Sequence, residues 1–351
     1  MRPGRRRTLA APPPDPFGER RRAAWRVGLR LLGGRFEFET DSARLLRLVR
    51  LAYAGLPPHR LFDVSPRLRV RLVLMPPERP HRASRAAREP PPVRALAAGE
   101  ILCGAMGRSG FVTLSAPQRA ALVVVAQDLL RYPYHVRYEL LEFAVYVLAA
   151  RVLGLVPLHA ACLGRAGEGI LIIGASGAGK STLVLHAVLS GLDFLAEDSV
   201  LVTPQGLLAT GVASFLHLLP DSLRFLDRGE RAAVTRGSTV IRRRSGVRKL
   251  EVDIRRPPFR LAAAPLRIRA VVFLSAAAAR GHELLRPLRK ESALKRLAAS
   301  QRYAAQQPGW SVFRRRLSVL PTYELRRGSH PRESVAAVHA LLEGGKRLAN
   351  A

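Results

Sequence analysis

The run Gly174-Ala175-Ser176-Gly177-Ala178-Gly179-Lys180-Ser181-Thr182 constrains this chain more than any other segment. It matches G-x-x-x-x-G-K-[ST], the phosphate-cradling P-loop, with both glycines, the lysine and the hydroxyl in place. Upstream, Gly169-Ile-Leu-Ile-Ile-Gly174 is an apolar run bounded by glycines and reads as a buried strand. Downstream, Ser181 to Ser190 reads as a short helix stopped by Gly191. Strand, glycine loop and helix together turn backbone N–H groups onto phosphate oxygens, and the helix N-terminus adds partial positive charge. The pattern predicts a nucleoside-triphosphate site. Gly174 to Thr182 would cradle the phosphates, Lys180 would reach the β- and γ-phosphates, and Ser181 would ligate Mg²⁺.

The formal charge of +32 invites a nucleic-acid reading. Its source argues otherwise. Lysine occurs only at positions 180, 249, 290, 295 and 346, so the excess is arginine, scattered without aromatic interleaving or a nucleic-acid module. No specific nucleic-acid partner is expected, and weak attraction to acidic partners fits better. A hydrophobic content of 48% excludes wholesale disorder. Cys103 and Cys162 make neither a metal-ligand spacing nor a disulfide framework. The basic N-terminus lacks a following apolar stretch, and the longest apolar run, Phe143 to Ala150, falls far short of the ~20 residues of a membrane helix. A soluble, cytoplasmic protein is expected.

Residues 1–22 read as a disordered basic and proline-rich tail, and 23–149 as an accessory region with a proline-rich linker near 76–92. Within it, Arg35–Thr40 and Arg67–Met75 alternate like strands, and Asp41 or Ser42 caps a helix through Leu45, Leu46, Leu48 and Val49. Residues 117–130 and 136–155 are expected to form helices. Val156–Leu163 reads as a strand turning through Arg165–Gly169 into the loop strand. Leu192–Ala196 reads as a strand ending at Glu197-Asp198, with Ser199–Thr203, Leu266–Leu274 and Thr322–Arg326 also extended. A closing helix starts at Pro331. Alternating strands and helices after residue 150 imply an α/β core.

The surroundings of the loop narrow its class. There is no N-K-x-D guanine motif and no L-S-G-G-Q signature, and Val271–Ser275 ends without a carboxylate. The acidic pair Glu197-Asp198 follows Ser181 by only 16 and 17 residues. Together, Pro157-Leu158-His159-Ala160, the glycine loop, Ser190-Gly191 and Ala196-Glu197-Asp198-Ser199-Val200 resemble the C-terminal domain of the HPr kinase/phosphorylase family. The resemblance is strong over about 50 residues and looser over 150–275. It implies an α/β fold: a P-loop kinase core of the HPr kinase type over 150–345, behind a small N-terminal α+β accessory domain.

The resemblance further implies an ATP- and Mg²⁺-dependent serine kinase acting on a protein or peptide hydroxyl, and homo-oligomers. Glu197 would be the base, with Asp198 assisting metal or water positioning. Lys180 and His159 would complete the catalytic set, and Ser181 and Asp198 would be the metal ligands. Two departures from the family stand out: Glu197 replaces the usual Asp, and the downstream E-x-R-G-x-G segment is missing, so no later metal ligand is assigned. Asp198 as the base is an alternative, as is His159 as a core histidine. A nucleotide-sensing regulator and a small-molecule kinase are the other functional readings. Adjacent carboxylates on one strand would point to opposite faces, so only one is expected to face the phosphate. His186 and His217 read as structural, Lys249 as a solvated strand residue, and Arg242-Arg243-Arg244 as an exposed loop or a closure over phosphates. Trp25 and Trp310 read as core or domain-contact anchors.

Overall fold

The computed structural model describes residues 23–76, 89–279 and 283–349. The expected N-terminal tail and most of the proline-rich linker lie outside the described residues. The chain is a mixed α/β protein whose described strands form sheets of seven, ten and three strands.

The N-terminal region is built on one sheet. Its seven strands run in the order Trp25–Leu31, Gly34–Thr40, Arg67–Met75, Ala120–Ala126, Gly110–Ser115, Ile101–Met106 and Val93–Ala98. Gly34–Thr40 and Arg67–Met75 are parallel. The helix Ala43–Tyr53 makes the crossover that parallel strands require, and Ser42 caps it by accepting from the Leu45 N–H. The helix expected over 117–130 is instead the strand Ala120–Ala126 followed by a single tight turn, Gln127–Arg131. Val123-Val-Val125 is β-branched and sits between two strands, which decides a short apolar run that periodicity leaves ambiguous. Residues Val136–Glu142 form a π-helix that continues into the α-helix Phe143–Val152, and both pack under this sheet.

In the ten-stranded sheet the loop strand Glu168–Ile173 is central. It pairs antiparallel with Ala161–Arg165 and parallel with Leu266–Ala278, which in turn pairs parallel with Thr322–Arg327. Successive side chains of the loop strand serve opposite layers. Ile170 and Ile172 pack with Leu183, Val184 and Leu185 of the Lys180–Leu189 helix and with Val335 and Val338 of the Pro331–Ala349 helix. Leu171 and Ile173 face Ala293, Leu297, Trp310 and Phe313 on the other side. Burial on both faces explains why this strand reads as a continuous apolar run. Trp310 is thus a core anchor, whereas Trp25 is 40% exposed. The expected strand over 156–163 is broken at His159-Ala160 into Val156–Leu158 and Ala161–Arg165, which pair with different neighbours.

A separate three-stranded sheet stands beside this core, with Arg248–Asp253 between Phe215–Leu218 and Thr239–Arg242. Among the described residues, no helix is long and apolar enough to cross a membrane.

Candidate active site

The loop leaves the Glu168–Ile173 strand at Gly174 and enters the Lys180–Leu189 helix through Gly179. Gly177 and Gly179 have φ of +82° and +91°, and a Cβ at either would meet nothing within 4 Å. Backbone conformation, not crowding, therefore requires glycine here, and open space lies where a ligand would approach. Lys180 and Ser181 occupy the first turn of the helix, so their positions relative to the loop N–H groups are set by one rigid element.

The acidic pair sits just past the end of the Asp193–Ala196 strand, in the bend before Val200–Val202. Strand alternation no longer applies there, and both carboxylates lie near Lys180. Lys180 Nζ donates to Asp198 Oδ1 at 2.5 Å and to the Glu197 carbonyl at 2.7 Å, and lies 3.6 Å from Glu197 Oε1. Ser181 Oγ donates to Glu197 Oε1. Lys180 and Glu197 are 8% and 5% exposed, so their charges depend on these partners for compensation. Asp198 is also held from its other oxygen, where Arg243 Nη2 donates to Oδ2 at 3.2 Å. Burial disfavours the charged form of Asp198, but Lys180 foremost, with His159 and Arg243, outweighs it and holds the carboxyl down at about 2.

His159 is exposed at the mouth of the same cavity, with Nδ1 3.2 Å from the Asp198 carbonyl. Its backbone is clamped by buried Gln301, which accepts from the His159 N–H at 2.8 Å and donates to its carbonyl at 3.1 Å. That clamp sits at the break between the two short strands.

His217, expected to be structural, lies with the acidic pair. Among the described residues, Glu197, Asp198 and His217 each offer a ligand atom, all within 4.8 Å of one another. His217 stands directly across from Glu251 in the three-stranded sheet, and its Nε2 is 3.0 Å from Glu251 Oε1. The carboxylate selects the tautomer with the proton on Nε2, which leaves the lone pair on Nδ1. Glu251 is in turn held by buried Arg137 of the π-helix. Burial pushes the Glu251 carboxyl up, but His217 and Arg137 outweigh it and set it below its usual range. Two carboxylates and the Ser181 hydroxyl suit a hard divalent cation such as Mg²⁺, and the imidazole extends the set toward Mn²⁺.

A cavity of about 460 Å³ is lined by His159, the loop, Glu197, Asp198, Arg243 and Lys249, among others. Lys249 is a half-buried residue of the Arg248–Asp253 strand and also lines this cavity. A second cavity, of about 500 Å³, lies across Gly177–Gly179 and is walled by Leu183, Phe225, Leu274, Leu325, His330 and Pro331. Of the site residues read from the sequence, all but Ala178 line the first cavity, and Ala178 lines the second. His217 was missed because nothing in its immediate neighbours marks it; its meaning comes from Glu251, a cross-strand partner 34 residues away.

No family model matches the chain, and no curated protein matches it. Among solved structures it is similar to the Hpr(Ser) kinase/phosphatase from Coxiella burnetii. That likeness is 13% identical, covers 55% of this chain and 96% of that one, and has a TM-score of 0.28. A score at that level says nothing about activity.

Proposed function

We propose that this chain is an ATP- and Mg²⁺-dependent kinase that transfers the γ-phosphate to a serine hydroxyl of a protein or peptide. One observation carries the reading: the lysine and the hydroxyl of a phosphate-cradling loop both contact a carboxylate pair on the wall of a single cavity. Phosphoryl transfer needs little covalent chemistry from the protein beyond positioning, charge neutralisation and removal of one proton. Gly174 to Thr182 hold the phosphates, and Lys180 turns from the carboxylates to neutralise them.

Glu197 is assigned as the base: its carboxylate already accepts from the Ser181 hydroxyl, whereas both oxygens of Asp198 are engaged by Lys180 and Arg243. Asp198 instead orients Lys180 and Arg243. The acceptor hydroxyl gives its proton to the Glu197 carboxylate as its oxygen bonds to the γ-phosphorus. The bond from that phosphorus to the bridging oxygen breaks, and ADP leaves with the electron pair. Ser181, Asp198 and His217 are the residues that would hold the metal with Glu197 adjacent, and a bound Mg²⁺ would neutralise charge on the phosphate oxygens.

The side of the loop bearing the base must admit the acceptor, so the nucleoside belongs on the other side. The second cavity has the apolar walls a base requires, from Phe225, Leu274 and Leu325, with His330 for polar contact. Equilibrium dialysis with labelled Mg·ATP tests the reading. The wild type is expected to bind one equivalent and Lys180→Ala to bind on the order of 10-fold more weakly or worse. Absence of binding by the wild type overturns it.

A further inference from the structure

We propose that Arg243 is a second phosphate-contacting cation of this site, aimed by two tyrosines of the N-terminal region, and that it reads the terminal phosphate of a nucleoside triphosphate. This rests on the kinase reading above and adds a residue and a nucleotide preference to it.

Arg243 begins the turn that joins Thr239–Arg242 to Arg248–Asp253, closed by its N–H on the Val247 carbonyl and by the Gly246 N–H on its own carbonyl. The turn overhangs the loop cavity, and Arg243 forms part of that cavity's wall. Its neighbours hold the turn from both sides. Arg242 Nε lies 2.5 Å from Glu89 Oε1, and Arg244 bonds both oxygens of Glu139, at 2.8 and 2.5 Å. All three consecutive arginines are thus tied to the N-terminal region, because Arg243 Nη1 donates to the Tyr134 hydroxyl at 2.7 Å.

Tyr138 adds a second constraint, its ring lying 5.0 Å beneath the Arg243 guanidinium. Tyr134 and Tyr138 stack at 5.6 Å and both stand edge-on to His217 at 6.0 Å. A π-helix over Val136–Glu142 carries Tyr138, and such segments recur where a side chain must be re-aimed. The guanidinium so fixed reaches Asp198 Oδ2 while Lys180 reaches Oδ1. The two cations therefore bridge the two oxygens of one carboxylate, and two oxygens of a phosphate offer them an equivalent pair of acceptors. Its five N–H donors outnumber the partners Tyr134, Tyr138 and Asp198, and the planar fork suits a phosphate better than an ammonium does. Because Arg243 approaches from the side of the acidic pair, it meets the phosphate to be transferred and not the two that remain in ADP. Tyr134 and Tyr138 are positioning residues, acting through Arg243.

Calorimetry of the full chain with Mg·β,γ-imido-ATP and with Mg·ADP tests this. The wild type is expected to favour the triphosphate analogue. Arg243→Ala should lose on the order of 10- to 100-fold in affinity for the analogue while ADP affinity stays within about twofold. Tyr134→Phe should lose less, in the same sense. Melting temperatures establish that the variants fold, and Arg243→Lys, which keeps the charge but not the fork, carries the measurement if the alanine variant does not. A variant that weakens both nucleotides equally, or neither, overturns the role of Arg243 and leaves the kinase reading standing. A wild type that binds neither nucleotide overturns both.

Discussion

Lys180 and Asp198 form a 2.5 Å ion pair that joins the glycine loop to the acidic bend, and Arg243 closes on the same carboxylate from its other oxygen. A carboxyl flanked by two cations is more acidic in the folded chain than in the unfolded one. Its contribution to stability is therefore complete above the ordinary value of 3.8 and is lost as pH falls toward about 2. Glu142 behaves oppositely. Burial, with the nearby Glu251 charge, outweighs the opposing pull of Arg137 and pushes the Glu142 carboxyl up to about 7, so folding takes up a proton there and stability declines as pH rises from 4.5 to about 7. Urea titrations across pH should show a fall of about 2 kcal/mol below pH 4 that is missing in Asp198→Asn. The decline between pH 5 and 7 should flatten in Glu142→Gln. Unchanged profiles in both variants would contradict these assignments.

The two carboxylates of the bend should separate in kinetics. Glu197→Gln keeps the side-chain shape beside Ser181 but cannot accept a proton, so kcat should fall on the order of 100-fold or more with nucleotide affinity little changed. Asp198→Asn removes the anchor of two cations and should raise KM for ATP as well as lower kcat. Nucleotide binding measured beside turnover checks the split. The reverse pattern would make Asp198 the base.

Much of this site is legible along the chain, because the glycine loop, Lys180, Ser181 and the acidic bend are local features linked by one short helix and strand. The loop strand and helix read from Gly169–Gly174 and Ser181–Ser190 lie within a residue or so of Glu168–Ile173 and Lys180–Leu189. The rest depends on contacts that no local pattern encodes. His217 gains its place from Glu251, and Glu251 from Arg137, which is 114 residues away in the N-terminal region. Nothing in the local sequence marks Tyr134 and Tyr138 until the arginine turn is folded against them. The Ala120–Ala126 strand was likewise hidden, because a short apolar run is helical or extended according to the strands beside it.

Divalent-ion binding should report on His217 directly. Titration of Mn²⁺ followed by electron paramagnetic resonance should show weaker binding in His217→Asn, by on the order of 10-fold, with a smaller loss in Glu251→Gln, which unfixes the imidazole. Wild-type affinity in His217→Asn would remove His217 from the metal site.

The second cavity, proposed for the nucleoside, can be filled without touching the loop. Ser334→Trp places an indole among Phe225, Leu274 and His330 and should weaken ATP binding by on the order of 10-fold while leaving pyrophosphate affinity unchanged. Equal loss for both ligands, or no loss, would move the nucleoside elsewhere.

Incubation of the purified chain with Mg²⁺, γ-labelled ATP and the soluble proteome of its host, beside Lys180→Ala and Glu197→Gln, tests phosphotransfer most directly. The expected result is a labelled protein or peptide acceptor, phosphorylated on serine, that disappears with both variants. Tight ATP binding without transfer to any acceptor, together with wild-type behaviour in Glu197→Gln, would contradict a kinase and leave a nucleotide-binding regulator in its place.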